Sequence, residues 1–397
     1  MSDRGLAALA AVGLDDEARS IAIPMHGRMI HDRTGASRVS PYSGREEDYI
    51  NSISRTELNA LLLDAADRYD HVQIMFETDC TDIALSSKCI TAQPLDEEAI
   101  QISAEIIIGA DGAGSSTRQA LQSFMKDGFK GDSHFLESGY KELHIPPTVS
   151  DEWRIEKNVL HIWPRGSYMA IALPNLDGSF TVTLFWPMTG ANSFEAITNP
   201  EELDTFFRKE FPDLYIELPD LATDYFANPT GKLGTLKCAP WHYAGHACLI
   251  GDACHPIVPF YGQGMNAAFE DTLVFMECYD DAAGDWATIF SEFYRKRKPD
   301  TDAIADLALD NFYEMQDHVD DPAFMAKRTL EMKMEQEIPS YYSKYGLVTF
   351  RQDLPYREAL RQGRLQDEIL LEMCKGGMMP HGSLVDIYEA LQARLSS

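Results

Sequence analysis

The chain has 397 residues, with 63 acidic against 34 basic side chains and a formal net charge of −29. That balance disfavours nucleic acid and anionic membrane surfaces as partners, and no apolar run approaches the ~20 residues needed to span a bilayer. The cysteines (Cys80, Cys89, Cys238, Cys248, Cys254, Cys278, Cys374) are scattered without C-x-x-C or zinc-type spacing, which argues for a reducing compartment, buried thiols and no metal site.

Residues 3–19 read as a helix. Pro24 to His31 reads as extended, with Arg28 inside it. Gly35 and Pro41-Tyr-Ser-Gly44 mark turns, so the region forms a hairpin. Ser54 and Glu57 form a capping box for a helix running through Tyr69, with Leu58, Leu61, Leu62 and Ala65 on its apolar face. Val72 to Phe76 reads as a short strand. In Glu105-Ile-Ile-Ile-Gly-Ala-Asp-Gly112 the isoleucines predict a buried strand, Asp111-Gly112 a turn, and a helix starts near Ser115. Residues 135–235 change character: Leu160–Arg165, Tyr168–Leu173 and Phe180–Phe185 read as strands, and Asn175-Leu-Asp-Gly178 as a hairpin turn. Leu203, Phe206 and Phe207 define an attached amphipathic helix. Such an antiparallel sheet can wall a pocket.

The most informative stretch is His246 to Asp271. Ala247 to Ile250 reads as the end of a buried strand, and Gly251-Asp252 sits at its C-terminal end, the edge where ligands gather in open α/β sheets. A loop with Pro256, Pro259, Gly262 and Gly264 follows, and the chain turns helical from Met265. The glycines let backbone approach a ligand closely, and the new helix offers free N–H groups and a positive dipole end. Asp252 suits sugar-like hydroxyls, so the pair suggests a nucleotide-type cofactor. Gly262-Gln-Gly-Met-Asn-Ala267 imitates G-x-G-x-x-G/A but does not directly follow a strand, so it is not read as a dinucleotide fingerprint. Cys254 reads as loop packing. Beyond Asp271 the chain is mostly helical. Ile304, Leu307, Ala308, Asn311 and Met315 share one face, leaving Asn311 either a core hydrogen bond to backbone or a ligand contact.

Val258-Pro-Phe-Tyr-Gly-Gln-Gly-Met-Asn266 resembles the second flavin motif of the aromatic-hydroxylase class of FAD monooxygenases, and the kynurenine 3-monooxygenase family within it. Four further blocks carry the likeness in order: Ile23-Pro-Met-His-Gly-Arg-Met-Ile-His31, Tyr49-Ile-Asn-Ser-Ile-Ser-Arg55, the Asp-Gly element, and Leu160-His-Ile-Trp-Pro-Arg165 with Ile171-Ala-Leu-Pro-Asn175. The resemblance implies an α/β FAD-binding Rossmann-like domain with an inserted antiparallel substrate domain and a C-terminal helical region. The boundaries expected are 1–134 (with a substrate-side hairpin at about 20–50) and 239–300 for the FAD-binding parts, 135–238 for the insert and 301–397 for the helical region. It implies that Arg28, Tyr42, Asn311 and Tyr345 contact substrate. Arg55, Cys80, Asp111, Ser116, Asp252, Gly264, Met265 and Asn266 fall where the family touches FAD. No catalytic base is implied, because the chemistry is flavin-borne. The implied reaction is hydroxylation of L-kynurenine to 3-hydroxykynurenine in tryptophan catabolism, consuming NADPH and O₂ through a flavin C4a-hydroperoxide. A related hydroxylase of another aromatic carboxylate, or a non-catalytic remnant, is the alternative.

The family opens with a strand, a G-x-G-x-x-G turn and a helix that grip the ADP half of FAD. Met1-Ser-Asp-Arg-Gly5 matches the family just after that unit. The expectation is therefore weak FAD retention, apolar faces left exposed and an unpaired sheet edge. The absence of the C-terminal membrane segment of eukaryotic members suggests the soluble, cytoplasmic type.

Overall fold

The computed structural model describes residues 1–45, 47–317 and 321–395, and for 315–317 the backbone alone. Met315 as a packing group and Ser397 as the end of the last helix thus lie outside the described residues. The expected N-terminal helix is two helices, α1 (Asp3–Ala11) and α2 (Asp15–Ser20), separated near Gly13. Gly13 has φ 71°, a value that costs glycine little and other residues more.

Strands β1 (Ala22–Met25), β2 (Gly27–His31), β3 (Ser37–Pro41) and β4 (Ile50–Ile53) follow. β1 pairs with β4 antiparallel, Met25 opposite Ile50, while β2 and β3 form the expected hairpin in a different sheet. Gly27 stands at the crossing, where a Cβ would meet the Ser40 carbonyl at 2.8 Å. Helix α3 (Arg55–Asp67) starts as expected, the Ser54 hydroxyl accepting the Glu57 N–H. Residues 72–76 form no strand, contrary to the sequence reading. The run pairs with no strand among the described residues, and Phe76 is 67% exposed.

Strands β5 (Thr78–Ala84), β6 (Cys89–Pro94) and β7 (Ile100–Ser103) make an antiparallel meander. Strand β8 (Ile107–Gly109) then leads through the Asp111-Gly112 turn into α4 (Ser116–Met125), capped by Ser115.

The middle of the chain builds the large sheet. Strands β9 (Lys130–Ile145), β10 (Leu160–Pro164), β11 (Met169–Pro174) and β12 (Phe180–Pro187) are followed by helices α5 (Pro200–Glu210), α6 (Pro212–Tyr215) and α7 (Leu221–Ala227), then β13 (Gly231–Ala239). The sheet order is β13-β9-β12-β11-β10-β2-β3, antiparallel except for the β10–β2 pair. Trp163, Trp186, Phe180, Phe207 and Phe211 bury their rings between this sheet and the helices. Burial of aromatic area of this kind dominates core stability.

Strands β14 (His242–Tyr243) and β15 (Ala247–Leu249) return the chain to β8, with β15 parallel to it and Leu249 opposite Gly109. The Asp-Gly and Gly-Asp turns therefore emerge side by side at one C-terminal strand edge. The outer edge of β8 is unpaired among the described residues, and Ile108 is 45% exposed. Helices α8 (Gly264–Asp281), α9 (Trp286–Asp317), α10 (Pro322–Glu337), α11 (Lys344–Thr349), α12 (Tyr356–Met373) and α13 (Leu384–Leu395) complete the chain. Mixed α/β sheets followed by a helical C-terminal region match the expected class. Among the described residues no helix is long and apolar enough to cross a membrane, and no side-chain cluster could hold a metal ion.

Candidate active site

The cofactor side is built on the two adjacent turns. Gly251, with φ 62°, bends the chain away from β15. Asp252 then points its carboxyl outward, with no hydrogen-bond or ion-pair partner in the protein among the described residues. Partial desolvation by the surrounding turn raises its pKa even though one face is open, while His255 and Arg55 oppose the shift. Arg55 opens α3, is exposed, and has no ion pair among the described residues.

A few residues on, Gly262 takes φ 65° with clear space where a Cβ would sit. Helix α8 begins at Gly264 and Met265 without a side-chain cap. Gln263 is turned away, accepting from the Tyr356 hydroxyl at 3.0 Å. Asn266 donates to the Gly262 carbonyl at 3.0 Å and accepts the Ser2 N–H at 2.9 Å, so its side chain braces the loop. The first N–H groups of α8 are thus left for a ligand.

The Asp-Gly turn is more self-contained. Asp111 accepts from the Ser115 hydroxyl at 2.5 Å and from the N–H and hydroxyl of Thr117 at 2.9 and 3.0 Å. Burial works against its charge, but these bonds outweigh it and hold the pKa below the usual range. Cys80 lies beside it on β5, its thiol pushed up by burial and then by the Asp111 charge. Ser116 is the first residue of α4. Arg118 ties the two turns together, donating to the Ala253 carbonyl at 2.7 Å and the Ala113 carbonyl at 2.5 Å. Cys254 is buried and donates to the Gly251 carbonyl at 3.2 Å, the packing role its position suggests.

The second cluster lies at the other end of the Phe260–Gly264 run. Arg28 on β2 places its guanidinium carbon 5.0 Å from the Tyr42 ring and 4.4 Å from the Tyr345 ring. No carboxylate pairs with it among the described residues. Tyr42 is buried, and its hydroxyl has no hydrogen-bond partner there. Burial, then the neighbouring Tyr345, drives its pKa well up, with Arg28 opposing. Asn311 on α9 donates to the Phe260 carbonyl at 2.7 Å, the backbone bond its place in an apolar stripe allows. Tyr261, which the sequence reading did not single out, stacks on Tyr345 at 5.5 Å and 16°. Its only sequence signal is its place in the quoted loop, because the stacking partner comes from a distant helix.

An FAD-type cofactor fits the first cluster: a partnerless carboxylate for hydroxyls, an uncapped helix end for charge or a dipole, and a glycine that leaves room. The second cluster sets a cation among aromatic faces. The two, on opposite ends of one loop, define a flavin-dependent aromatic monooxygenase.

Comparison with known proteins agrees. The family described as FAD binding domain matches residues 1–277. Kynurenine 3-monooxygenase of Myxococcus xanthus is 43% identical over 394 residues, covering 99% of this chain and 84% of that protein. The Dictyostelium discoideum enzyme of the same name is 42% identical over 389 residues, covering 95% and 83%. The fold is similar to that of 2-methyl-3-hydroxypyridine-5-carboxylic acid oxygenase, with TM-score 0.64 and 20% identity over 82% of this chain and 84% of that one. PqsL of Pseudomonas aeruginosa, in complex with 2-aminobenzoylacetate, gives TM-score 0.62 at 19% identity over 80% of this chain and 85% of that one. The chain belongs to the kynurenine 3-monooxygenase family.

Proposed function

We propose that the protein hydroxylates L-kynurenine to 3-hydroxykynurenine, a step of tryptophan catabolism in a reducing, cytoplasmic setting. The balance is kynurenine, O₂, NADPH and a proton giving 3-hydroxykynurenine, NADP⁺ and water. The observation that carries the reading is Arg28, a half-buried cation with no carboxylate partner among the described residues, beside the partnerless hydroxyl of Tyr42.

Arg28 offers a bidentate fork to the substrate carboxylate, and the Tyr42 hydroxyl donates a further bond. The rings of Tyr345 and Tyr261 give the substrate's aromatic part an apolar wall. Asn311 fixes the Phe260 carbonyl and so holds the loop between substrate and cofactor. On the cofactor side Asp252 accepts from hydroxyls, the N–H groups of Gly264, Met265 and Asn266 face the ligand, and Arg55, Ser116, Asp111 and Cys80 edge the cleft. Bound FAD supplies the redox and oxygen-activating chemistry. The protein binds, orients and keeps water out. Residues 1–134, apart from the substrate-side hairpin at about 20–50, and 239–300 form the cofactor-binding parts, 135–238 with that hairpin the wall, and 301–397 the helical region.

The test is reconstitution with FAD, followed by NADPH oxidation with a panel of aromatic carboxylates and mass spectrometry of the products. Kynurenine-stimulated oxidation with formation of 3-hydroxykynurenine is expected. Stronger turnover of another aromatic carboxylate would reassign the substrate.

A further inference from the structure

Asp271 is a fully buried carboxylate on α8, outside the clusters just described. Its Oδ2 accepts the Gly251 N–H at 3.1 Å and contacts Nε2 of His255 at 2.5 Å, and its Oδ1 accepts Nε–H of Arg297 at 2.7 Å. Arg297 also donates to the Ala267 carbonyl at 3.2 Å and pairs with Glu270 at 3.0 Å. Glu270 in turn pairs with Arg4 at 3.1 Å.

We propose that Asp271 is a positioning residue of the cofactor site, setting the separation between the Asp252 carboxylate and the N-terminus of α8. The proposal rests on the reading of the Gly251-Asp252 turn and that helix end as the elements that face the flavin.

The geometry works as a ruler. The Gly251 carbonyl accepts from the N–H groups of Cys254 and His255 at 3.0 and 3.1 Å, which closes the turn on itself. Its N–H is bound by Asp271, which anchors the turn to α8 rather than to the sheet. Asp271 lies about two turns along the helix from Gly264, so one rigid element carries both the anchor and the uncapped helix end. His255, held by the same oxygen, fixes the far side of the turn, and Asp252 between them is left facing outward.

The chemistry requires a carboxylate of this length. Three donors converge on two oxygens, and each is satisfied. Asparagine has one acceptor oxygen and would aim its NH₂ group at another donor. Glutamate would drive the carboxylate into the turn it holds.

The experiment uses the whole chain with added FAD. Flavin fluorescence and visible absorbance give the Kd for FAD, steady-state kinetics at saturating FAD give KM for the aromatic substrate, and melting of the apo form reports folding. Asp271→Asn should raise the Kd for FAD about tenfold or more, the loss expected for a hydrogen-bonded buried charge. KM at saturating FAD should stay unchanged. His255→Leu should shift Kd in the same direction, and His255→Gln, whose amide N–H extends toward Asp271, should recover most of the loss. If Asp271→Asn does not fold, the His255 pair decides alone. A folded Asp271→Asn or a His255→Leu variant with wild-type Kd overturns the proposal, as does equal loss in His255→Leu and His255→Gln. A wild-type Kd for FAD left unchanged by Asp252→Asn overturns the cofactor-facing reading and the positioning role together. Wild-type binding with unaffected variants overturns the positioning role alone.

Discussion

The guanidinium carbon of Arg28 lies 4.4 Å from the ring centroid of Tyr345, and that ring is stacked 5.7 Å from Tyr42. Aromatic faces hold a cation in place without neutralising it. Its charge is thus oriented in advance and left for a ligand.

Replacing that charge should separate substrate binding from cofactor binding. Arg28→Ala in the FAD-loaded protein should raise KM for kynurenine by about tenfold to a hundredfold, the range for a lost charged hydrogen-bond pair, with flavin content unchanged. Arg28→Lys should recover only part, because an ammonium lacks the planar fork. Loss of flavin with KM unchanged would remove Arg28 from the substrate site.

The Tyr42 hydroxyl is buried without a partner among the described residues, a state that costs free energy unless a ligand satisfies it. Tyr42→Phe should therefore leave the melting temperature of the substrate-free protein equal or higher, while weakening kynurenine binding by roughly 1 kcal/mol or more. Calorimetric unfolding with and without substrate checks both halves. A lower melting temperature in the absence of substrate would show that the hydroxyl has a structural partner instead.

Asp252 sets a pH dependence. Its pKa is raised, by partial desolvation first and with His255 opposing. Only the ionised form is a pure acceptor for hydroxyls. FAD affinity should then weaken as pH falls through that raised pKa, starting above the ordinary aspartate value of about 4. Asp252→Asn should bind FAD less tightly at neutral pH and lose this acid-side dependence, and Asp252→Ala should retain little flavin. Flavin titrations across pH measure it, and a wild-type profile in Asp252→Asn would refute the assignment.

Glu331 is a stability site. It is buried in the C-terminal helices, with Lys327 at 3.8 Å and Arg328 at 3.7 Å, and its Oε2 has no hydrogen-bond partner among the described residues. Burial raises its pKa, with Lys327 opposing. A carboxyl whose folded pKa exceeds its unfolded value holds its proton more tightly in the native state. Its contribution is therefore most favourable below the unfolded pKa and is lost as pH rises through the folded one. Glu331→Gln should remove that loss, stabilising the protein by about 1 kcal/mol, or roughly 2 °C, at neutral pH, and giving a flatter melting profile. A Gln variant that melts lower at neutral pH would mean that the ion pairs outweigh the desolvation.

Much of the site is legible because its elements are local. The isoleucines before Asp111, the apolar run before Gly251, the Ser54 cap and the helix start near Ser115 are each legible within a few residues. Val72 to Phe76 misleads because an apolar run reports a preference for burial, not the presence of a strand to pair with. The break at Gly13 interrupts a helix that composition alone continues. Asp271, Arg297 and Arg4 look in sequence like solvated charges, since their partners lie far along the chain. Tyr261 against Tyr345 is hidden for the same reason: stacking depends on how two distant elements meet.

The pairing of β1 with β4 brings Met25 opposite Ile50. The segment between them, which carries Arg28 and Tyr42, therefore leaves and re-enters the cofactor-binding part at neighbouring points. Its ends are stapled by that two-stranded ladder, which shortens the loop that the hairpin must close. The segment is in effect an exchangeable cassette. If the proposed role of Arg28 and Tyr42 holds, transplanting the segment between relatives should change substrate preference while the β8–β15 edge keeps its own pairing.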